Sequence, residues 1–218
     1  MDIVEINDTK RKIMEAAGEI FAQKGFNSTT IREICNSAGT HVGSVNYHFK
    51  DKKNLYEEVL QHTHISALKK YPPDLGLKKN SSPEDKLRAY INSMLLRILD
   101  DGFPAWHGKL MAQEFANPTN VVHKIIEKSI KPSQQYLASI VREILGIEKE
   151  NKNEIAVFLC TISIVGQCLQ FFKGKEVIEG LCPKDFNTKD IEMLTNQITL
   201  FSLGGIQEVK KEINKKNN

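Results

Sequence analysis

The sequence predicts an all-α fold, and three observations carry that expectation. Apolar residues recur three and four positions apart, as in Leu87, Tyr90, Ile91, Met94, Leu95 and Ile98. Runs that alternate apolar and polar residues over a useful length are missing, and no two such runs are joined by an Asn-Gly or Asp-Gly turn. Helix start and stop signals punctuate the chain at Thr30, Ser82-Pro83, Gly25 and Gly39. About nine helices are expected: a cluster of three short ones at the N-terminus, then a larger bundle.

The first helix should run from Asp8 to Lys24, with Ile13, Ala17, Ile20 and Phe21 on one face and Gly25 as its stop. The second begins at Thr30. Thr30-Ile31-Arg32-Glu33 fits a capping box, with the hydroxyl first and the carboxylate three residues later, and Ile31, Ile34 and Cys35 then face inward. The third lies within AGTHVGSVNYHF, Ala38 to Phe49. The fourth runs from Lys52 to Lys70, with Leu55, Val59 and Leu60 apolar. YPPDLGLKKNSSPEDK is a connection rich in Pro, Gly, Ser and charge. Ser82 before Pro83, Glu84 and Asp85 then starts the fifth helix with a cap, an N1 proline and acids in the first turn. A short sixth helix spans Pro104 to Phe115. The seventh, Thr119 to Leu145, should bend at Pro132, where a backbone donor is lost. The eighth runs from Asn153 to Lys173 and the ninth from Thr188 to Lys211, with a frayed charged tail behind it. This divides the chain into residues 1–52, a linking helix and connection over 53–82, a second domain over 83–213, and a tail over 214–218.

Hydrophobic residues make up 40% and charged residues 26% of the 218, ordinary proportions for a soluble globular chain with a substantial core. No stretch reads as long and apolar enough to span a bilayer. The N-terminus MDIVEINDTKRK lacks the basic-then-apolar order of a signal peptide. A cytoplasmic protein with no membrane partner is expected. Cys35, Cys160, Cys168 and Cys182 form no C-x-x-C pair, which suits buried thiols in a reducing compartment and gives no metal site. No nucleophile–base pair or phosphate loop stands out, so neither an enzyme nor a cofactor is expected. The net charge is +3, and the first 60 residues hold eight Lys/Arg against nine Asp/Glu. An argument for nucleic acid must therefore come from local geometry.

That geometry is at Ala38 to Phe49. Ala38-Gly39-Thr40 is small enough for two helices to cross, and Gly39 can take positive φ, so the second and third helices form a helix-turn-helix. Val45 anchors the third helix inward. His41, Val42, Ser44, Asn46, Tyr47 and His48 are left facing forward or outward, a set able to reach base edges and phosphates in a major groove. Asn46 can pair with adenine, Thr40 and Val42 can meet a thymine methyl, and Tyr47, His48 and Lys52 suit phosphate oxygens. Lys50, Lys52 and Lys53 cluster just beyond. The entry TKRKIMEAAGEIFAQKGFNSTTIREICNSAG and the exit VGSVNYHFKDKKNLYEEVL make residues 8–60 resemble the DNA-binding domain of the TetR family of bacterial transcriptional regulators. The resemblance implies that Thr30, Thr40, His41, Val42, Gly43, Ser44, Asn46, Tyr47, His48 and Lys52 face DNA. It also implies that Phe49 and Leu55 lock the third helix onto the fourth. The chain departs from many members at Asn46, where an aromatic is common, and at His41, where small polar residues are frequent.

The resemblance further implies that the second domain binds a small-molecule effector and forms a homodimer, and that the protein is a repressor released from a double-stranded operator. PAWHGKLMAQEFANPT and FLCTISIVGQCLQFF are similar to the CecR-like C-terminal subfamily. Met94, Phe103, Trp106, His107, Met111, Glu114, Phe115 and Phe158 could line an aromatic, apolar pocket, with ordinary core packing as the alternative for each. Ile164, Cys168 and Phe171 on the eighth helix, and Leu194, Ile198 and Phe201 on the ninth, are the expected dimer face, because a helix apolar around most of its circumference must bury both sides. A helical carrier or enzyme that binds no DNA is the competing function.

Overall fold

The computed structural model describes residues 8–99, 106–148, 152–173, 175–181 and 190–217. All regular structure among them is helical. The elements are α1 (Asp8–Ser28), α2 (Ile31–Ala38), α3 (Val42–Phe49), α4 (Lys52–Lys70), α5 (Pro83–Leu99), α6 (Trp106–Ala116), α7 (Val122–Ile125), α8 (Lys131–Leu145), α9 (Glu154–Lys173), α10 (Lys175–Leu181) and α11 (Ile191–Asn217). Gly25, with φ 75° and ψ 171°, breaks α1 where the sequence places its stop. The seventh predicted helix is two helices joined by a π-helical stretch, Ile126–Ile130. The disturbance lies one turn before Pro132, because proline both lacks the donor for the Lys128 carbonyl and crowds it. α10 was not legible in the sequence. The charged tail is not frayed: α11 continues through Asn217, with Ile213 packed inward and Lys211–Glu208 and Lys215–Glu212 pairs along its surface.

The chain packs as two compact units, Met1–Ala67 with Asp101–Glu127, and Leu68–Asp100 with Lys128–Asn218. This differs from the division read along the chain. The α6–α7 segment, sequentially part of the second domain, is built into the N-terminal unit.

In the N-terminal unit, Ile13, Ala17 and Phe21 of α1, Ile34 and Cys35 of α2, Val45 and Phe49 of α3, and Leu55, Tyr56, Val59 and Leu60 of α4 are buried together with Leu110 of α6. The Phe21, Phe26 and Tyr56 rings form a cluster with Phe21 edge-on to Tyr56 at 4.7 Å. α6 lies against α1 with the Trp106 indole over Gly18, where a Cβ would run into the ring. Within a helix, alanine normally stabilises by about 1 kcal/mol over glycine. Here overpacking of about 1–3 kcal/mol outweighs that gain. Gly18→Ala should therefore lower the urea midpoint, and Gly18→Ala/Trp106→Phe should recover part of the loss. An unchanged midpoint for the single variant would place the indole elsewhere.

The C-terminal unit is centred on Leu87, Ile91 and Leu95 of α5, Leu137, Ile140, Val141 and Ile144 of α8, Val157, Ile164 and Cys168 of α9, and Leu194, Ile198, Ile206 and Ile213 of α11. Ser82 caps α5, accepting from the Asp85 amide at 3.1 Å while Asp85 accepts from the Ser82 amide. The segment Glu154–Phe172 of α9 is long and apolar enough to cross a bilayer by length and composition, contrary to the sequence reading. Its apolar circumference divides into an inner face in this core and an outer face with Ile155, Phe158, Leu159 and Ile162 exposed at i, i+3, i+4 and i+7.

Candidate nucleic-acid interface

Local chemistry sets the entry to α2. Thr30 Oγ1 accepts from the Glu33 amide at 3.2 Å, and Glu33 accepts from the Thr30 amide at 2.9 Å, so the capping box is complete. Lys24, at 2.7 Å, and the Thr30 groups hold the Glu33 carboxyl down to about 2 from an ordinary 4.5. Its stabilising contribution is thus in place above about pH 4.5 and is lost as pH falls through about 2.

Gly39 then turns the chain with φ 62° and ψ 37°, a left-handed conformation that suits glycine. The Thr40 amide donates back to Cys35 O at 2.9 Å. α3 follows with its register fixed by two buried side chains, Val45 and Phe49. Their spacing of four leaves His41, Val42, Gly43, Asn46 and Tyr47 exposed, and Ser44 and His48 half-buried. Tyr47 is 84% exposed, with its ring edge-on to His48 at 5.0 Å. Leaving a large aromatic in water forfeits the gain from burying it. Gly43 has open space where a Cβ would stand, so the front of α3 admits close approach.

Two expected DNA residues are differently engaged. Lys52 donates to Phe26 O and Thr29 O, both at 2.9 Å, and its ammonium lies 4.4 Å from the Phe26 ring centroid. It fastens the α1–α2 turn to α4, because carbonyls left unpaired at that turn attract the nearest cation. Thr40 Oγ1 is covered and without a hydrogen-bond partner, so the hydroxyl is not presented forward. Thr30 keeps an exposed position while its hydroxyl serves the cap. Lys50, grouped with Lys52 and Lys53 in the sequence, is not among the expected DNA contacts. It has φ 71° and ψ −50°, the one positive φ outside glycine among the described residues. That conformation costs roughly 1–3 kcal/mol and sets Lys50, exposed, between α3 and α4.

The residues read as a ligand pocket are distributed over both units. Glu114 is fully buried in the N-terminal unit, accepting from Tyr56 Oη at 2.8 Å, the Thr119 amide at 3.0 Å and Thr119 Oγ1 at 2.9 Å. Burial, and then Glu114, push the Tyr56 hydroxyl well above the ordinary tyrosine range. Tyr56–Glu114 thus ties α4 to α6, and Glu57 and Lys124, at 2.8 Å, tie α4 to α7. Trp106 and Met111 are half-buried in the same unit. Met94 packs half-buried against the core of the other unit. Phe158 is a correction: it is 55% exposed on the outer face of α9. Phe103 and the side chains of His107 and Phe115 lie outside the described residues.

The expected dimer face also needs correction. Ile164, Cys168, Leu194 and Ile198 belong to the C-terminal core, and Phe171 is half-buried against it. Phe201 alone of the six is largely exposed, at 68%. Periodicity identifies the stripes of an all-round apolar helix, but not which of them its own bundle covers.

The model described as bacterial regulatory proteins, tetR family, matches residues 13–59. The model described as HTH-type transcriptional dual regulator CecR, C-terminal domain, matches residues 83–206. The HTH-type transcriptional dual regulator CecR of Shigella flexneri is 27% identical over 179 residues, 78% of each chain. The HTH-type transcriptional regulator SrpR of Pseudomonas putida is 22% identical over 208 residues, 95% of this chain and 88% of that one. A solved transcriptional regulator from Rhodococcus sp. Rha1 has a TM-score of 0.65 at 16% identity, covering 91% of this chain and 95% of its own, and so shares the fold.

Proposed function

The chain belongs to the TetR family of bacterial regulatory proteins, with a C-terminal domain of the CecR type, and from that premise we propose that it is a homodimeric repressor released from its operator by a small-molecule effector. That it is a DNA-binding transcriptional regulator, and not an enzyme, follows from the family itself. The finer reading rests first on α3, whose Val45 and Phe49 are locked inside while Asn46 and Tyr47 stand in solvent. Asn46 then reads a base edge, and Tyr47 and His48 take phosphates.

Dimerisation is supported by the apolar stripes outside the C-terminal core. Ile155, Phe158, Leu159 and Ile162 line α9, and Met193, Leu200 and Phe201 line α11. Water-exposed apolar surface of this extent marks an interface. A two-fold pair suits an operator with half-sites about 34–36 Å apart. The effector acts only through unequal affinity for DNA-competent and DNA-incompetent arrangements. α4 is the covalent lever, since Lys52–Ala67 belongs to one unit and Leu68–Lys70 to the other. A cytoplasmic location is part of the same reading.

Selecting binding sites from a random duplex pool tests this. The wild-type chain should enrich a palindromic site, and Tyr47→Ala should bind it roughly tenfold more weakly, a loss of about 1.4 kcal/mol, with an unchanged melting temperature. No enriched site, or full affinity in Tyr47→Ala, would remove α3 as the reader. A reporter driven from the selected site, with and without the protein, distinguishes repression from activation.

A further inference from the structure

Three lysines follow α3 closely in the chain, and the structure gives each a different setting. Lys52 is half-buried and held by the Phe26 and Thr29 carbonyls, both at 2.9 Å, with its ammonium over the Phe26 ring. Lys53 lines a cleft of about 510 Å³ whose other walls are Phe26 and Asn27 of the α1–α2 turn and residues 117–121 of the α6–α7 connection. Lys50 is exposed and directly follows Phe49, at the end of α3 that carries Tyr47 and His48.

Two anchored helices meet at Lys50. Buried Phe49 fixes the end of α3, and buried Leu55 and Tyr56 fix the start of α4. The Lys50 amide donates to Asn46 O at 3.1 Å and closes α3. Asp51 opens α4, its Oδ1 accepting from the Asn54 amide at 2.8 Å. The corner between the helices therefore falls on one residue, which takes φ 71° and ψ −50°. These angles are close to those of the rare, strained γ-turn, and glycine is the residue that takes positive φ without steric cost. The chain uses glycine in this way to end α2 at Gly39 and α8 at Gly146. Here it carries a lysine. What lysine adds over glycine is a long cationic arm in solvent beside the exposed face of α3. A backbone outlier that its surroundings hold in place is a pointer to function.

We propose that Lys50, not Lys52, is the lysine that contacts a duplex phosphate at the α3–α4 corner, and that the strained backbone is retained there because it presents this cation. The proposal rests on the reading of α3 as the DNA-facing helix. Lys52 serves the fold, holding the α1–α2 turn to α4 through two carbonyls. A phosphate contact positions the protein without reading sequence. Each one also releases a condensed counterion, which adds about 0.9 to the slope of log affinity against log salt. Stability and binding then oppose one another at a single residue, since the glycine that relaxes the corner also removes the contact.

The full-length protein is titrated with the selected operator and with a random-sequence duplex of equal length, between about 50 and 200 mM salt, and its thermal unfolding is measured alongside. Lys50→Gly should raise the melting temperature by about 2–4 °C while lowering the salt slope by about 0.9 for each bound subunit. Lys50→Gln keeps the strain and loses the charge, so it should lower the slope equally and leave the melting temperature in place. Lys50→Arg should keep the slope. Lys52→Gln should show the opposite pattern to Lys50→Gly, a lower melting temperature with an unchanged slope. An unchanged slope in both Lys50→Gly and Lys50→Gln, or a loss of slope confined to Lys52→Gln, would overturn the proposal. So would a Lys50→Gly protein no more stable than the wild type, since the corner would then hold no strain for a contact to explain. If no operator is enriched, the reading of α3 fails, and the slope on the random duplex still decides the role of Lys50.

Discussion

On the proposed homodimeric reading, Phe158→Asp is expected to give a folded monomer and to lower operator affinity by roughly a thousandfold, the scale on which joining two weak binding modules raises avidity. Phe158 is exposed at the centre of the Ile155, Phe158, Leu159 and Ile162 stripe on α9, with Leu200 and Phe201 exposed on α11. Burying a phenylalanine contributes about 1.5–3 kcal/mol. Burying an unpaired carboxylate in its place costs several kcal/mol more. A two-fold interface counts both effects twice. Because the side chain is outside the subunit's own core, the melting temperature of the monomer should hardly move. Ile164→Ala is the contrasting variant. Ile164 is buried in the core, so its truncation should cost about 2–5 kcal/mol of stability and leave the association state alone. Sedimentation equilibrium and a band-shift titration read both. A Phe158→Asp protein that stays dimeric would move the interface off α9.

Glu114→Ala should destabilise the N-terminal unit by about 3–5 kcal/mol, combining a cavity with stranded donors. The Tyr56 hydroxyl and the Thr119 amide and hydroxyl all donate to this one carboxylate, which is fully buried. Tyr56→Phe removes a single donor and should cost less, about 1–3 kcal/mol. Tyr56 and Glu114 are in contact, so the double variant should cost less than the sum of the two singles. Thermal unfolding followed by circular dichroism measures the series, with the Glu114→Ala midpoint lower by roughly 10 °C. Strict additivity would mean that the two groups do not share a bond.

Much of the recognition module was legible because its signals are short-range. The Thr30–Glu33 box, the left-handed turn at Gly39 and the inward spacing of Val45 and Phe49 involve residues within a few positions of one another. Chain geometry alone brings such groups together. The long family signature over residues 8–60 added the DNA role. The lysine cluster was legible but the strain at Lys50 was not, since backbone conformation at a non-glycine residue is set by the two helices that meet there.

The sequence by itself determined the helical class, the helix-turn-helix, most helix starts and stops, and the kind of molecule this is. Tertiary structure alone decided which partner each side chain takes. It gave Glu114 to Tyr56, 58 residues away. It spent Lys52 on two carbonyls, and turned Ile164 and Cys168 inward and Phe158 outward. The physical reason is that periodicity and caps are properties of one helix, whereas burial, pairing and counter-charge are properties of which helices meet, and closure of the chain fixes that.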